Sequence, residues 1–323
     1  MRKKVITLAL GQMVLDNVIH DRQGTPLIKD QNNLFLGGPP SFAGIIGLIL
    51  SKMFPWMAPP LVYAYGCPKA VSLLKKLPDY DLVSKNLMIQ SKCPQFRLEY
   101  SSDENERMLS LRNPPLRFNL ADFNWKFVNP PVAIVSSVYH EFSNYKIFSS
   151  LRNRCSYIAF DPQGCFRQLT ATGKIKLRKW WDSEIMKNID CIKVSETEAK
   201  FLKLGTHPVK IVTRILKTPV TSVLLTRGKN GAILGVKNPN IHIYDVPAFT
   251  KGTIVDETGA GDVFLFTFVT HFQTFANELD AIAFATSVTS LFLEQERFMV
   301  SFTEETISSR QDKIRSKIIE FLK

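Results

Sequence analysis

The sequence is short of the residues and runs that several protein classes need. Its five cysteines (Cys67, Cys93, Cys155, Cys165 and Cys191) include no Cys-x-x-Cys pair, which argues against a zinc site or a redox dithiol. An odd count with no N-terminal leader pattern fits a reducing compartment, so the expected location is cytoplasmic. The longest apolar stretches, 42–50 and 263–269, fall well short of a bilayer span, which implies a soluble chain with no membrane partner. No G-x-x-x-x-G-K-[ST] string occurs, so the chain is not a P-loop protein. Gly11 stands alone after the first apolar run, without the G-x-G-x-x-G that a dinucleotide-dependent oxidoreductase requires. Internal repeats, low-complexity segments and Pro- or Ser-rich linkers are absent too, and the expectation is one domain over 1–323.

What remains is ample for a core. Hydrophobic residues make up 45% of the chain and charged residues 22%. The net charge of +12 is spread over modest clusters at Arg2-Lys3-Lys4, 174–179 and 313–323. No nucleic-acid motif accompanies it, so it reads as solvated surface and no nucleic-acid partner is expected. The tail from 313 has the spacing of an amphipathic surface helix, with Ile314, Ile318 and Phe321 on one side. Apolar, β-prone runs at 4–10, 61–66, 132–138, 191–195 and 222–226 alternate with helical stretches. That alternation predicts an α/β fold with a mostly parallel central sheet flanked by helices. Two further strand pairs, within 13–36 and 92–116 and turning at 21–24 and 101–106, predict a small separate β-sheet.

The stretch 253–268, TIVDETGAGDVFLFTF, organises the rest. Gly259 and Gly261 permit a tight turn whose N–H groups point one way, and the apolar run from Val263 predicts a buried helix behind it. A helix N-terminus of this kind attracts an anion. Asp262 then places a carboxylate beside an anion site, which suits removal of a proton from an attacking hydroxyl. The plainer alternative is that Asp262 only caps the helix. A similar choice arises at 195–198, where Ser195 and Glu198 have capping-box spacing. His140, at the end of the 132–138 run, has no neighbour in sequence to orient it and reads as structural.

The string Asp256-Glu257-Thr258-Gly259-Ala260-Gly261-Asp262 resembles the C-terminal signature of the ribokinase-like (PfkB) carbohydrate kinase family. Further family-like segments follow the same order along the chain. They are Asp16 five residues after Gly11, Gly37-Gly38 ahead of an apolar helix, Arg167 in DPQGCFR, Glu198 in SETE, and Thr226-x-Gly228-x-x-Gly231. The Gly38-Pro39-Pro40-Ser41-Phe42 form is similar to the archaeal, inositol-kinase-like branch.

The resemblance implies an ATP-dependent kinase using Mg²⁺, with the small sheet as a lid and a homodimer paired through it. It implies Asp262 as general base, the Gly259, Ala260 and Gly261 backbone as anion hole, and Asp16, Gly37, Gly38 and Arg167 at the substrate. Lys193, Thr226, Gly228 and Gly231 fall at the nucleotide, with Glu198 supporting the metal through water and 276–294 flanking the adenine. The acceptor would be a hydroxyl of a small carbohydrate, a cyclic polyol such as myo-inositol, or a nucleoside. The pattern also departs from the family. Phe42 stands where an Asn is usual, which argues against ribose; no acid follows Gly66; and Ser195 replaces an Asn. These departures keep open an alternative, a catalytically silent sugar- or nucleotide-binding member of the same fold.

Overall fold

The computed structural model describes residues 4–19, 34–100, 107–125, 131–249 and 251–322. The strands, in chain order, are β1 (Thr7–Gln12), β2 (Val14–Ile19), β3 (Leu34–Gly37), β4 (Leu61–Gly66), β5 (Asn86–Ile89), β6 (Gln95–Tyr100), β7 (Arg107–Arg112), β8 (Val132–Ser136), β9 (Tyr157–Asp161), β10 (Arg167–Leu169), β11 (Ile175–Leu177), β12 (Cys191–Ser195), β13 (Ser222–Thr226), β14 (Ala232–Lys237), β15 (Ile241–Val246) and β16 (Ile319–Leu322). The helices are α1 (Pro39–Met53), α2 (Pro68–Leu74), α3 (Tyr80–Ser84), α4 (Tyr145–Arg152), α5 (Ser183–Met186), α6 (Glu196–Ala199), α7 (Pro208–Leu216), α8 (Ala260–Phe275), α9 (Glu278–Leu293) and α10 (Glu304–Arg315).

Ten strands form the main sheet in the order β16-β15-β14-β13-β12-β9-β8-β1-β4-β5. Pairing is parallel from β5 through β13 and antiparallel from β13 to β16. Strands such as VAIVS in β8 and YIAFD in β9 are buried throughout, as expected where helices cover both faces of a parallel sheet. Side-chain alternation divides them between two cores. Tyr157, Ala159, Cys191 and Leu224 point to the face carrying α1, α8 and α9, whereas Ile158, Phe160, Ile192 and Val223 point to the face carrying α4 and α7.

The small sheet is separate, in the order β3-β2-β6-β7. Val14, Phe96, Leu98 and Leu111 form its own apolar cluster with Val138 of the main body. The turns expected at 21–24 and 101–106 lie outside the described residues.

Two expectations are corrected. The tail is helical only to Arg315; after a turn, Ile319–Leu322 adds to the edge of β15 as β16. An open strand edge offers ladder partners that a solvated helix turn does not, and that tertiary opportunity overrides the local spacing. The reducing compartment read from the cysteines is at odds with a disulfide that joins Cys67, just after β4, to Cys93, just before β6, with Cα atoms 5.4 Å apart. Their separation of 26 residues carried no local signal of this pairing.

Candidate active site

In open α/β sheets ligands bind beyond the carboxyl ends of the strands, and the predicted residues gather there. Asp161 ends β9, Ser195 ends β12 and Thr226 ends β13, with Ser195 and Thr226 directly paired. Asp161, Lys193, Ser195 and Thr226 share the alternation phase of Ala159, Cys191 and Leu224, so all four belong to the face on which α8 begins.

Helix α8 starts at Gly259, whose φ of 84° is left-handed, and no side chain caps it. Asp262 is therefore not the cap but a residue of the first turn. A Cβ on Gly259 would lie 2.4 Å from the Phe42 ring, so both the backbone angle and the close packing require glycine. The N–H of Ala260 is turned inward to the Glu257 carbonyl (3.3 Å), and that of Asp262 to the Gly259 carbonyl (3.0 Å). No acceptor among the described residues meets the N–H groups of Gly259 and Gly261. Two of the three expected anion-hole amides are thus open, while the third is already used.

Lys193 lies beneath this turn. A Cβ on Gly261 would come within 2.5 Å of its Nζ, so the glycine is what lets the ammonium approach. Lys193 donates to Asp161 Oδ2 at 2.6 Å in a pair that is almost fully buried. Burial by itself lowers the ammonium's pKa, but Asp161, Glu198 and Asp262 together hold it above its ordinary value. For Asp161, burial dominates and pushes the carboxyl up, Lys193 opposing it. Asp262 is pushed up to about 7, first by burial and then by the Asp161 charge, with Lys193 and Arg167 pulling it down and Asp16 adding to the rise. A carboxyl that titrates near neutrality beside open amides has the chemistry of a general base.

The small sheet closes the other side. Asp16 on β2 pairs with Phe35 of β3 and Phe96 of β6, and a Cβ on Gly37 would lie 2.3 Å from its Oδ2. Gly38, which follows β3, is the residue ahead of α1. The Arg167 guanidinium stacks 4.8 Å from the Phe96 ring and donates to the Val138 carbonyl at 2.8 Å. His140 Nε2 lies 2.6 Å from the Arg167 carbonyl, and burial lowers its pKa; it supports the segment that carries Arg167. Gly228 and Gly231 form the turn between β13 and β14, next to Thr226. Glu198 completes the capping box with Ser195, accepting from its N–H at 2.8 Å, so one of its oxygens serves the helix start.

One residue had no place in the sequence reading. Arg297, 1% exposed, donates to Asp16 Oδ2 (2.9 Å) and to Asp256 Oδ2 (3.0 Å). Asp161 and Asp256 were visible in quoted segments, but nothing local marked either as an ion-pair partner. Arg297 itself lies in a stretch, LEQERF, with no motif.

Residues 168–303 match the family profile described as pfkB family carbohydrate kinase. No curated protein sequence matches the chain. Among solved structures, a pyrophosphate-dependent kinase of the ribokinase family, complexed with a pyrophosphate analogue and myo-inositol, is 17% identical with TM-score 0.69, over 94% of this chain and all of that one (100%). The Thermotoga maritima ribokinase is 16% identical with TM-score 0.68, over 95% and 99%. A fructokinase double mutant from Vibrio cholerae O395, with fructose, ADP and potassium ion bound, is 17% identical with TM-score 0.69, over 96% and 100%. The main sheet and the small second sheet agree with these structures, so the chain has the ribokinase-like fold, and its segment 168–303 around α8 is similar to the pfkB carbohydrate kinases.

Proposed function

We propose that the chain, as one unit over 1–323, transfers the γ-phosphoryl group of ATP to a hydroxyl of a small carbohydrate, a cyclic polyol such as myo-inositol, or a nucleoside. One observation carries this reading: Asp262, raised to about 7, stands in the first helical turn beside the open N–H groups of Gly259 and Gly261.

Asp262 takes the proton of the acceptor hydroxyl as its oxygen attacks the γ-phosphorus. The bond to the β-bridging oxygen breaks, and ADP leaves. Charge on the transferred group is met by the Gly259 and Gly261 amides and by the α8 dipole. Asp16, Gly37, Gly38 and Arg167 form the acceptor side, and Lys193, Thr226, Gly228 and Gly231 the donor side. Mg²⁺ on the donor phosphates supplies charge neutralisation. Glu198 would support that ion through water.

Phe42 is 1% exposed and belongs to the apolar core beneath Gly259, so it contributes no amide to a ribose site. That supports myo-inositol or a similar acceptor over ribose. The alternative, a non-catalytic binder, rests on the departures from the family pattern at Ser195 and after Gly66.

The test is donor consumption with Mg²⁺ over a panel of myo-inositol, ribose, fructose, 2-keto-3-deoxygluconate, fructose phosphates and nucleosides, with Asp262→Asn in parallel and pyrophosphate as a second donor. Acceptor-dependent ADP release that vanishes in the variant supports the kinase. Acceptor binding without release in wild type supports the silent binder. The homodimer through the small sheet is a separate proposal, checked by sedimentation of the free chain.

A further inference from the structure

Arg297 sits on the segment following α9, yet its contacts reach two other parts of the site. On one side it meets the small sheet, donating from Nη1 to Asp16 Oδ2 (2.9 Å) on β2 and to the Leu36 carbonyl (3.2 Å) on β3. On the other it meets the loop leading into α8, donating from Nε to Asp256 Oδ2 (3.0 Å). Asp256 Oδ1 in turn accepts the N–H of Thr258 at 2.8 Å, one residue before Gly259. The same loop is pinned to α9 by the Val255 N–H, which donates to the Leu293 carbonyl at 2.7 Å. The guanidinium lies near the rings of Phe35 (5.6 Å) and Phe42 (5.8 Å), and Phe42 packs under Gly259.

Arginine suits this place because its planar fork serves several acceptors in fixed directions, which an ammonium does not. Two carboxylates directed at one buried point need a countercharge, and here the chain supplies it covalently. We propose that Arg297 is a positioning residue that locks the acceptor carboxylate Asp16 to the anion loop at 256–261, so that acceptor and transferred group are held in one frame. The proposal rests on the kinase reading for its catalytic consequence, but its structural content is independent of it.

Arg297→Lys keeps the charge and loses the fork. Two readouts separate positioning from simple stability. The first is backbone hydrogen exchange: residues 34–37 and 256–261 are expected to exchange faster together, with β8, β9 and β12 unchanged. The second is kinetic. With a panel acceptor, kcat/KM per folded enzyme is expected to fall by about 100-fold, the cost of misplacing reacting groups by about 1 Å, with kcat and acceptor KM both altered. A purely structural role lowers the melting temperature and leaves kcat and KM of the folded fraction unchanged.

If Arg297→Lys does not fold, Asp256→Asn tests the link from its other end. It keeps an oxygen for the Thr258 N–H and removes the charge facing Arg297, and faster exchange at 34–37, across the guanidinium, is then expected. If wild type phosphorylates no acceptor, the kinase reading fails, and the exchange experiment alone decides the coupling. Exchange that changes on only one side of Arg297, or a kcat/KM within about threefold of wild type in a folded variant, overturns the proposal.

Discussion

Lys193 and Asp161 form a buried 2.6 Å ion pair, with the Lys193 ammonium against Gly261 in the turn that starts α8. Burial raises the pKa of Asp262 most, and the pair's opposed charges adjust it further, Asp161 raising it and Lys193 lowering it. The proposed base is therefore tuned by burial and by a pair contributed by β9 and β12.

Replacing the proposed base should separate chemistry from folding. Asp262→Asn is expected to keep the fold and donor binding and to lose at least ~100-fold in kcat, measured by acceptor-dependent ADP release. A kcat within a few-fold of wild type would remove Asp262 from the mechanism.

The pH dependence follows from the same group. With Asp262 titrating at about 7, kcat/KM is expected to fall about tenfold per pH unit below that value and to level off above it. The limb reports the coupled cluster, not one carboxyl in isolation. Asp161→Asn should move it to lower pH, since the Asp161 charge is a cause of the rise. For stability the sign is opposite to that of a salt-bridged acid. The folded state holds this proton more tightly than the ordinary carboxyl at 3.8, so its contribution to stability declines as pH rises from 3.8 to about 7 and is constant beyond. Melting curves of wild type and Asp262→Asn should therefore diverge across that window, the variant lacking the decline.

Glycine substitutions should grade by cause. Gly259→Ala meets the Phe42 ring at 2.4 Å and adopts a left-handed angle, so it is expected to lower the melting temperature, with about 1–2 kcal/mol from the backbone alone. Gly261→Ala has no such angle and meets only the end of a lysine side chain at 2.5 Å. It should melt nearly as wild type while shifting the pH limb to higher values as Lys193 is displaced.

Restoring the usual family residue at Phe42 should do harm. Phe42→Asn removes a ring packed 5.0 Å from Phe298 and 6.0 Å from Phe292, and it buries an amide there. A loss of about 3–5 kcal/mol is expected in denaturant unfolding, with no gain of ribose phosphorylation.

Removal of the metal should stop transfer without unfolding. If Mg²⁺ rides on the donor phosphates as proposed, a chelator is expected to abolish donor consumption and leave the melting temperature of the donor-free chain unchanged.

Much of the architecture was legible because its causes are local. Buried parallel strands are continuous apolar runs, hence β1, β4 and β8, and Gly259 and Gly261 need their own clearance whatever surrounds them. Sequence therefore determined the α/β class, the small second sheet, the turn before α8 and the capping box at Ser195. It could not decide whether Asp262 caps its helix, because that reading and a catalytic one fit the same letters; the backbone makes Gly259 the cap residue and puts Asp262 in the first turn. Tertiary structure alone brought Arg297 to Asp16 across 281 residues, Lys193 to Asp161 across 32, Cys67 to Cys93, and the tail to β15 as a strand. The physical reason is the same in each case. A buried charge, a disulfide or an open sheet edge is satisfied by whatever the fold places within bonding distance, and that distance is set by the packing of sheets and helices, not by separation along the chain.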